Sequence, residues 1–117
     1  MYAIYMTEKR LSQINEQIQK IKDELREIGE MRPGSLSRQY KVPEERVAPY
    51  WQLSYTHKMK SRTDYVRPAA VADIRCQIAT YKRFKKLVTR WVDLAIEHSK
   101  LKSRLTKRTE SKQAEIS

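Results

Sequence analysis

In the first quarter of the chain the apolar residues recur at Leu11, Ile14, Ile18, Ile21, Leu25 and Ile28, at spacings of 3, 4, 3, 4 and 3. This is the a/d seam of a helix, and it extends back to Ile4. The positions between are nearly all Glu, Gln, Lys, Asp, Asn or Arg. The pattern predicts an amphipathic helix over residues 7–30. Thr7 is placed as its N-cap, with Glu8 in the first turn where the helix dipole favours an acid. Gly29 suits a C-cap, and Pro33-Gly34 stops any continuation. So narrow a stripe on a polar helix needs a partner helix, because isolated helices are marginal in water. Whether that partner lies in the same chain or in a second copy stays open.

The pattern then changes twice. Residues 31–49 contain Pro33, Pro43 and Pro49 together with Gly34. They exclude a long helix and predict an irregular connector, tied down by Leu36, Tyr40 and Val42. Over residues 50–67 the period becomes two. Trp51, Leu53 and Tyr55 alternate with Gln52, Ser54 and Thr56, and Thr63, Tyr65 and Val66 suggest a return strand. The segment reads as a β-hairpin with a basic tip, His57-Lys-Met-Lys-Ser61, which lacks the Asn-Gly or Asp-Gly pair of a tight turn. A lone hairpin must lie against a helix to persist.

Pro68 is placed as the first residue of a second helix. From there to about Arg108 no proline or glycine intervenes. Val71, Ile74, Ile78 and Tyr81 begin its stripe, Phe84, Leu87, Val88, Trp91, Leu94 and Ala95 broaden it, and Leu101 and Leu105 end it. At 1.5 Å per residue this helix would run about 60 Å, far longer than the first. Residues 109–117 are expected to fray. The resulting fold class is mainly α and elongated: one domain over residues 1–117, with long helices packed as an antiparallel helical hairpin or coiled coil and a small β-hairpin insert.

Charge adds an asymmetry to this picture. Residues 1–33 hold six Lys/Arg and six Asp/Glu, whereas residues 34–117 hold nineteen and eight, so the whole net charge of +11 lies in the second part. Such an imbalance points to a polyanionic partner. The densest run is Lys82, Arg83, Lys85, Lys86 and Arg90, interleaved with Tyr81, Phe84 and Trp91. These aromatics fall in the buried stripe and are read as core, while the cations are read as phosphate contacts. A second group is the hairpin tip, His57, Lys58, Lys60 and Arg62, with Arg67 at the base. A two-stranded ribbon fits a DNA major groove, although lysines also guard an edge strand. A third group, Lys100, Lys102, Arg104, Lys107 and Arg108, reads as a flexible electrostatic arm.

Several functional classes are disfavoured. With 39% apolar and 33% charged residues the core is thin, and a homodimer is expected to complete it through Leu11, Ile14, Ile18, Ile21, Leu25 and Ile28. Cys76 is the sole cysteine, so no disulfide framework or Cys-based zinc site is available, and a reducing cytoplasm is the expected location. It is read as a buried small hydrophobe. The apolar start, residues 1–6, is short and lacks a basic prefix, so it is not read as a signal peptide. No apolar run approaches the ~20 residues of a membrane span. His57 and His98 are the only histidines, and Asp64, Asp73 and Asp93 are dispersed. With two glycines in all, a glycine-rich phosphate loop is excluded. An enzyme, a metal, a cofactor, a small-molecule substrate and a membrane are therefore not expected.

The order Pro33-Gly34-Ser35-Leu36, Ala48-Pro49-Tyr50-Trp51-Gln52-Leu53-Ser54, Asp64-Tyr65-Val66-Arg67-Pro68 and Tyr81-Lys82-Arg83-Phe84-Lys85-Lys86-Leu87 resembles an uncharacterised family of small bacterial and archaeal proteins associated with transposases and mobile elements. The resemblance covers about residues 20–105. Many relatives carry a Cys cluster and a His before the aromatic strand. Residues 37–48 here contain neither, so the resemblance implies no metal for this chain. The expected function is a non-enzymatic, basic, dimeric nucleic-acid-binding module, with DNA ahead of RNA, acting as an accessory protein of a mobile element. The alternatives are a helical protein–protein adaptor that binds an acidic partner and a basic amphipathic helix lying on anionic lipid.

Overall fold

The second apolar period, of two residues, begins earlier in the chain than the hairpin. Leu36, Tyr40 and Val42 share one parity, and they lie on a strand. The computed structural model describes residues 2–42, 44–45 and 47–116. Its elements are helix α1 (Tyr2–Arg26), strands β1 (Ser35–Val42), β2 (Val47–His57) and β3 (Lys60–Val66), a 3-10 turn (Pro68–Ala70) and helix α2 (Val71–Ile116). The strands form one antiparallel sheet in the order β1-β2-β3. The fold is therefore mixed α/β, and the expectation of a mainly helical hairpin with a small β insert is wrong. The segment expected to be an irregular connector supplies β1 and the start of β2. Proline was the misleading signal. β3 ends at Val66 opposite Trp51, so Pro49 lies in a part of β2 that pairs with β1 and not with β3. There the missing N–H is tolerated.

The chain divides into two compact units, residues 1–27 with 86–117, and residues 28–85. In the first, α1 packs on the later part of α2. Ile14, Ile21 and Leu94 are buried, with Ile18, Leu25, Leu87, Trp91 and Leu101 against them. Arg10 meets Glu97 and Gln17 meets Arg90, so the helices run antiparallel. The stripe assigned to a homodimer is thus spent within the chain at Ile14, Ile18, Ile21 and Leu25, while Leu11 and Ile28 are half-buried. Thr7 does not cap α1. Its hydroxyl donates to the Ala3 carbonyl at 2.8 Å, a bond made inside a helix that begins earlier. Helix α1 ends at Arg26, before Gly29. Helix α2 continues to Ile116 through residues expected to fray.

Arg10 donates to both Glu97 carboxylate oxygens at 2.8 Å. The hydrogen bond from Arg10 holds the Glu97 carboxyl below its usual range, and the same contact raises the guanidinium. A depressed carboxylate adds stability above its unfolded pKa, and this is lost as pH falls through the folded pKa. Glu97→Gln should lower the melting temperature slightly at pH 7. Wild type and variant should converge as the solution is acidified through the carboxylate range. An equal gap at both pH values would show that the ion pair contributes nothing through its charge.

The second unit is the sheet with the first part of α2. Leu53, Val66, Val71 and Ile74 are buried together, and Leu36, Trp51, Tyr55, Ala70 and Ile78 pack around them. Arg67 is extended, and Pro68 opens the 3-10 turn that leads into α2, as expected of a proline at a helix start. Arg32 fastens the preceding segment. Its backbone N–H donates to the Gln77 carbonyl at 3.1 Å, its guanidinium pairs with Asp64, and it lies 5.1 Å from the Tyr55 ring centroid.

Candidate nucleic-acid interface

Antiparallel register sorts the strand residues onto two faces. Leu36, Arg38 and Tyr40 stand opposite Leu53, Trp51 and Pro49, and Val66, Asp64, Arg62 and Lys60 stand opposite Trp51, Leu53, Tyr55 and His57. This is the face that carries the core. Arg38 and Arg75 both lie over the Trp51 ring, at 6.0 and 5.3 Å. That accounts for a half-buried tryptophan near the edge of a thin core.

The hairpin is tighter than expected. Lys58 and Met59 form a two-residue loop, and both have positive φ, 51° and 64°. Such a loop normally takes Asn-Gly, because β-carbon sterics disfavour the left-handed region. Met59 is 98% exposed and contributes no packing to offset that. Changing Lys58→Asn and Met59→Gly together should raise stability by about 0.5–1 kcal/mol, measured by urea unfolding.

The loop brings His57, Lys58, Lys60 and Arg62 to one end of the ribbon, all exposed. Arg67 lies apart from them, at the base of the hairpin as expected. It follows Val66 at the far end of β3. Lys82, Arg83, Lys85, Lys86 and Arg90 are exposed along α2. Lys85 lies 5.7 Å from the Tyr81 ring centroid, and Arg90 donates weakly to Gln17. Tyr81, Phe84 and Trp91 are half-buried, and Trp91 belongs to the helix-pair core. Among the described residues the ion pairs are Arg10–Glu97 and Arg32–Asp64, so no carboxylate pairs with the cations of the tip or of this stretch of α2. The imbalance is greatest in the sheet unit, where residues 28–85 hold twelve Lys/Arg and five Asp/Glu, a net of +7.

Cys76 is exposed rather than buried, because it sits on α2 two residues beyond the inward-facing Ile74. His98 is half-buried. Among the described residues, no group of three or more His, Cys, Asp or Glu could hold a metal, and no helix is long and apolar enough to cross a membrane.

The opposite face of the sheet was missed in the sequence because β1 was read as a connector. Its described side chains are Ser35, Ser37, Gln39 and Lys41 on β1, Tyr50, Gln52, Ser54 and Thr56 on β2, and Ser61, Thr63 and Tyr65 on β3. The signal that could have revealed it is the alternation of Leu36, Tyr40 and Val42 with these polar residues.

A family model described as a domain of unknown function, DUF6788, matches residues 11–75. The match contains the whole sheet and ends before Lys82. No curated protein and no solved structure matches the chain.

Proposed function

The chain belongs to the DUF6788 family, whose description assigns no activity, and from the chemistry of its sheet unit we propose that it is a non-enzymatic module that binds nucleic acid. The observation that carries this reading is the group His57, Lys58, Lys60 and Arg62 at the tip of a two-stranded ribbon, without carboxylate partners among the described residues. Side-by-side cations that owe nothing to internal ion pairs can displace the condensed counterions of a phosphate backbone together. Lys82, Arg83, Lys85, Lys86 and Arg90 add further contacts of the same kind along α2. A ribbon tip fits a duplex groove. The order of short motifs described above supplies a mobile genetic element as context, with this module as its accessory factor.

The test is competition. A fluorescent oligonucleotide bound to the protein should be displaced by unlabelled nucleic acid at far lower concentration than by polyglutamate of equal total charge. Equal displacement by polyglutamate would replace this reading with that of an adaptor for acidic proteins.

A further inference from the structure

We propose that the open face of the sheet is a second contact surface, one that takes unpaired bases of a single-stranded nucleic acid, with Tyr50 and Tyr65 as stacking platforms. This rests on the nucleic-acid reading and adds the form of the ligand. The face has a specific composition. Its described side chains are hydroxyls, amides, two tyrosines and a lysine, without a carboxylate among them. Gln52 stands directly opposite Tyr65, and Tyr50 is two residues from Gln52 on the same face. The two rings are thus diagonal neighbours on adjacent strands, within reach of one ligand.

Tyr50, Tyr65, Lys41 and Pro49 line a single open cleft of about 520 Å³. Tyr65 is 65% exposed and covered by no described element. Tyr50 beside it is half-buried, and the pair supplies a flat apolar surface with a polar rim. Every base has a π-face, so stacking on such rings is indifferent to sequence. Gln39 and Gln52 present donors and acceptors of the type that read base edges, and a splayed single strand exposes those edges where a duplex does not.

Charge favours this occupant over a protein strand or a second copy. Lys41 lies in the cleft. Arg67, two residues beyond Tyr65 with extended backbone, falls on the same side of the sheet. A backbone threaded past the tyrosines would therefore meet cations at its phosphates, in a unit whose net charge is +7. A second copy would bring Lys41 against another such cationic face.

The experiment compares a fluorescent 12-nucleotide single strand, as DNA and as RNA, with a DNA duplex of the same length. The proteins are the full chain and its Tyr50→Ala, Tyr65→Ala and Tyr65→Phe variants, with circular dichroism confirming the fold. Each alanine should weaken single-strand binding about 5- to 100-fold, Tyr65→Phe should retain it, and duplex affinity should hold. The DNA and RNA arms report which sugar is preferred. Undiminished single-strand binding by both alanine variants would overturn the platform and leave the nucleic-acid reading standing. Absence of binding by the wild-type chain to any of the three ligands would overturn both. A wild-type chain that self-associates, and that Tyr65→Ala disperses, would make a second copy the occupant and would overturn the platform as well.

Discussion

Replacing Lys58, Lys60 and Arg62 together by alanine should make nucleic-acid binding both weaker and less sensitive to salt. Each phosphate neutralised on a duplex contributes about 0.9 to the slope of log affinity against log salt, so losing three contacts should flatten that slope by about 2.7. At 0.1 M salt the same loss corresponds to an affinity lower by about 100-fold or more. The three side chains are exposed, and none takes part in an ion pair or hydrogen bond among the described side chains. Stability should therefore stay within about 0.5 kcal/mol of wild type. A slope that does not change would show that the tip does not touch phosphate and would move the binding surface elsewhere. The size of the effect, set against that of a second cluster, separates this account from non-specific charge attraction. Alanine at Lys100, Lys102 and Arg104, three residues of equal formal charge, should flatten the slope less, because they are not gathered by a tight loop.

Leu53→Ala should have the largest effect on stability. Leu53 is 0% exposed and lies at the centre of the sheet core, between Leu36 on β1 and the first turns of α2. Truncating a leucine in such a site costs about 2–5 kcal/mol, as lost transfer energy plus the cavity left behind. The sheet unit has few buried side chains to absorb the gap, which favours the upper half of that range. Thermal unfolding should show it as a fall of roughly 4–8 °C per kcal/mol.

The same side chain dictates Gly34. A β-carbon there would come within 2.7 Å of Leu53 Cδ1 and 3.0 Å of the Ser54 carbonyl oxygen, at a φ of +138°. Gly34→Ala should thus be destabilising by itself. In the Leu53→Ala background its cost should be smaller, because one of the two clashes is removed, while the backbone strain remains. Strict additivity of the two changes would mean that the contact is relieved by movement of the chain around residue 34.

The helices and the hairpin were legible in the sequence for different reasons. The stripe from Leu11 to Leu25 and the run after Pro68 each repeat one period over many residues, so their type follows from pattern alone. The choice between a partner in the same chain and a partner in a second copy does not. It depends on whether the chain returns at the right angle, which the sequence of α1 does not encode. In the structure Leu94 and Trp91 of the same chain fill that role.

Strand β1 was illegible because its apolar residues are interrupted by Arg38 and its flanks are rich in proline. The register that makes Tyr40 face the same side as Trp51 is a property of the pair, not of either segment. Missing β1 also hid the open face. Tyr50 and Tyr65 acquire meaning only once Lys41 and Gln39 are known to lie beside them. The hairpin tip was found from its cations alone, although its loop is tighter than its residues would suggest, since Lys58 and Met59 adopt a conformation usually reserved for Asn and Gly. Arg67 was expected at the base of the hairpin, and the seven residues of β3 do separate it from the tip.

The most direct test of the central claim is the affinity of the full chain for a fluorescent single strand and for its duplex across a series of salt concentrations from ~50 mM upward, where phosphate contacts are strong. Nucleic-acid binding through the exposed cations of the tip and of α2 predicts measurable complexes at the lowest salt. It also predicts a linear log–log fall with a slope of about −2 or steeper for both ligands. Absence of a complex at ~50 mM salt, or an affinity that does not change with salt, would contradict it.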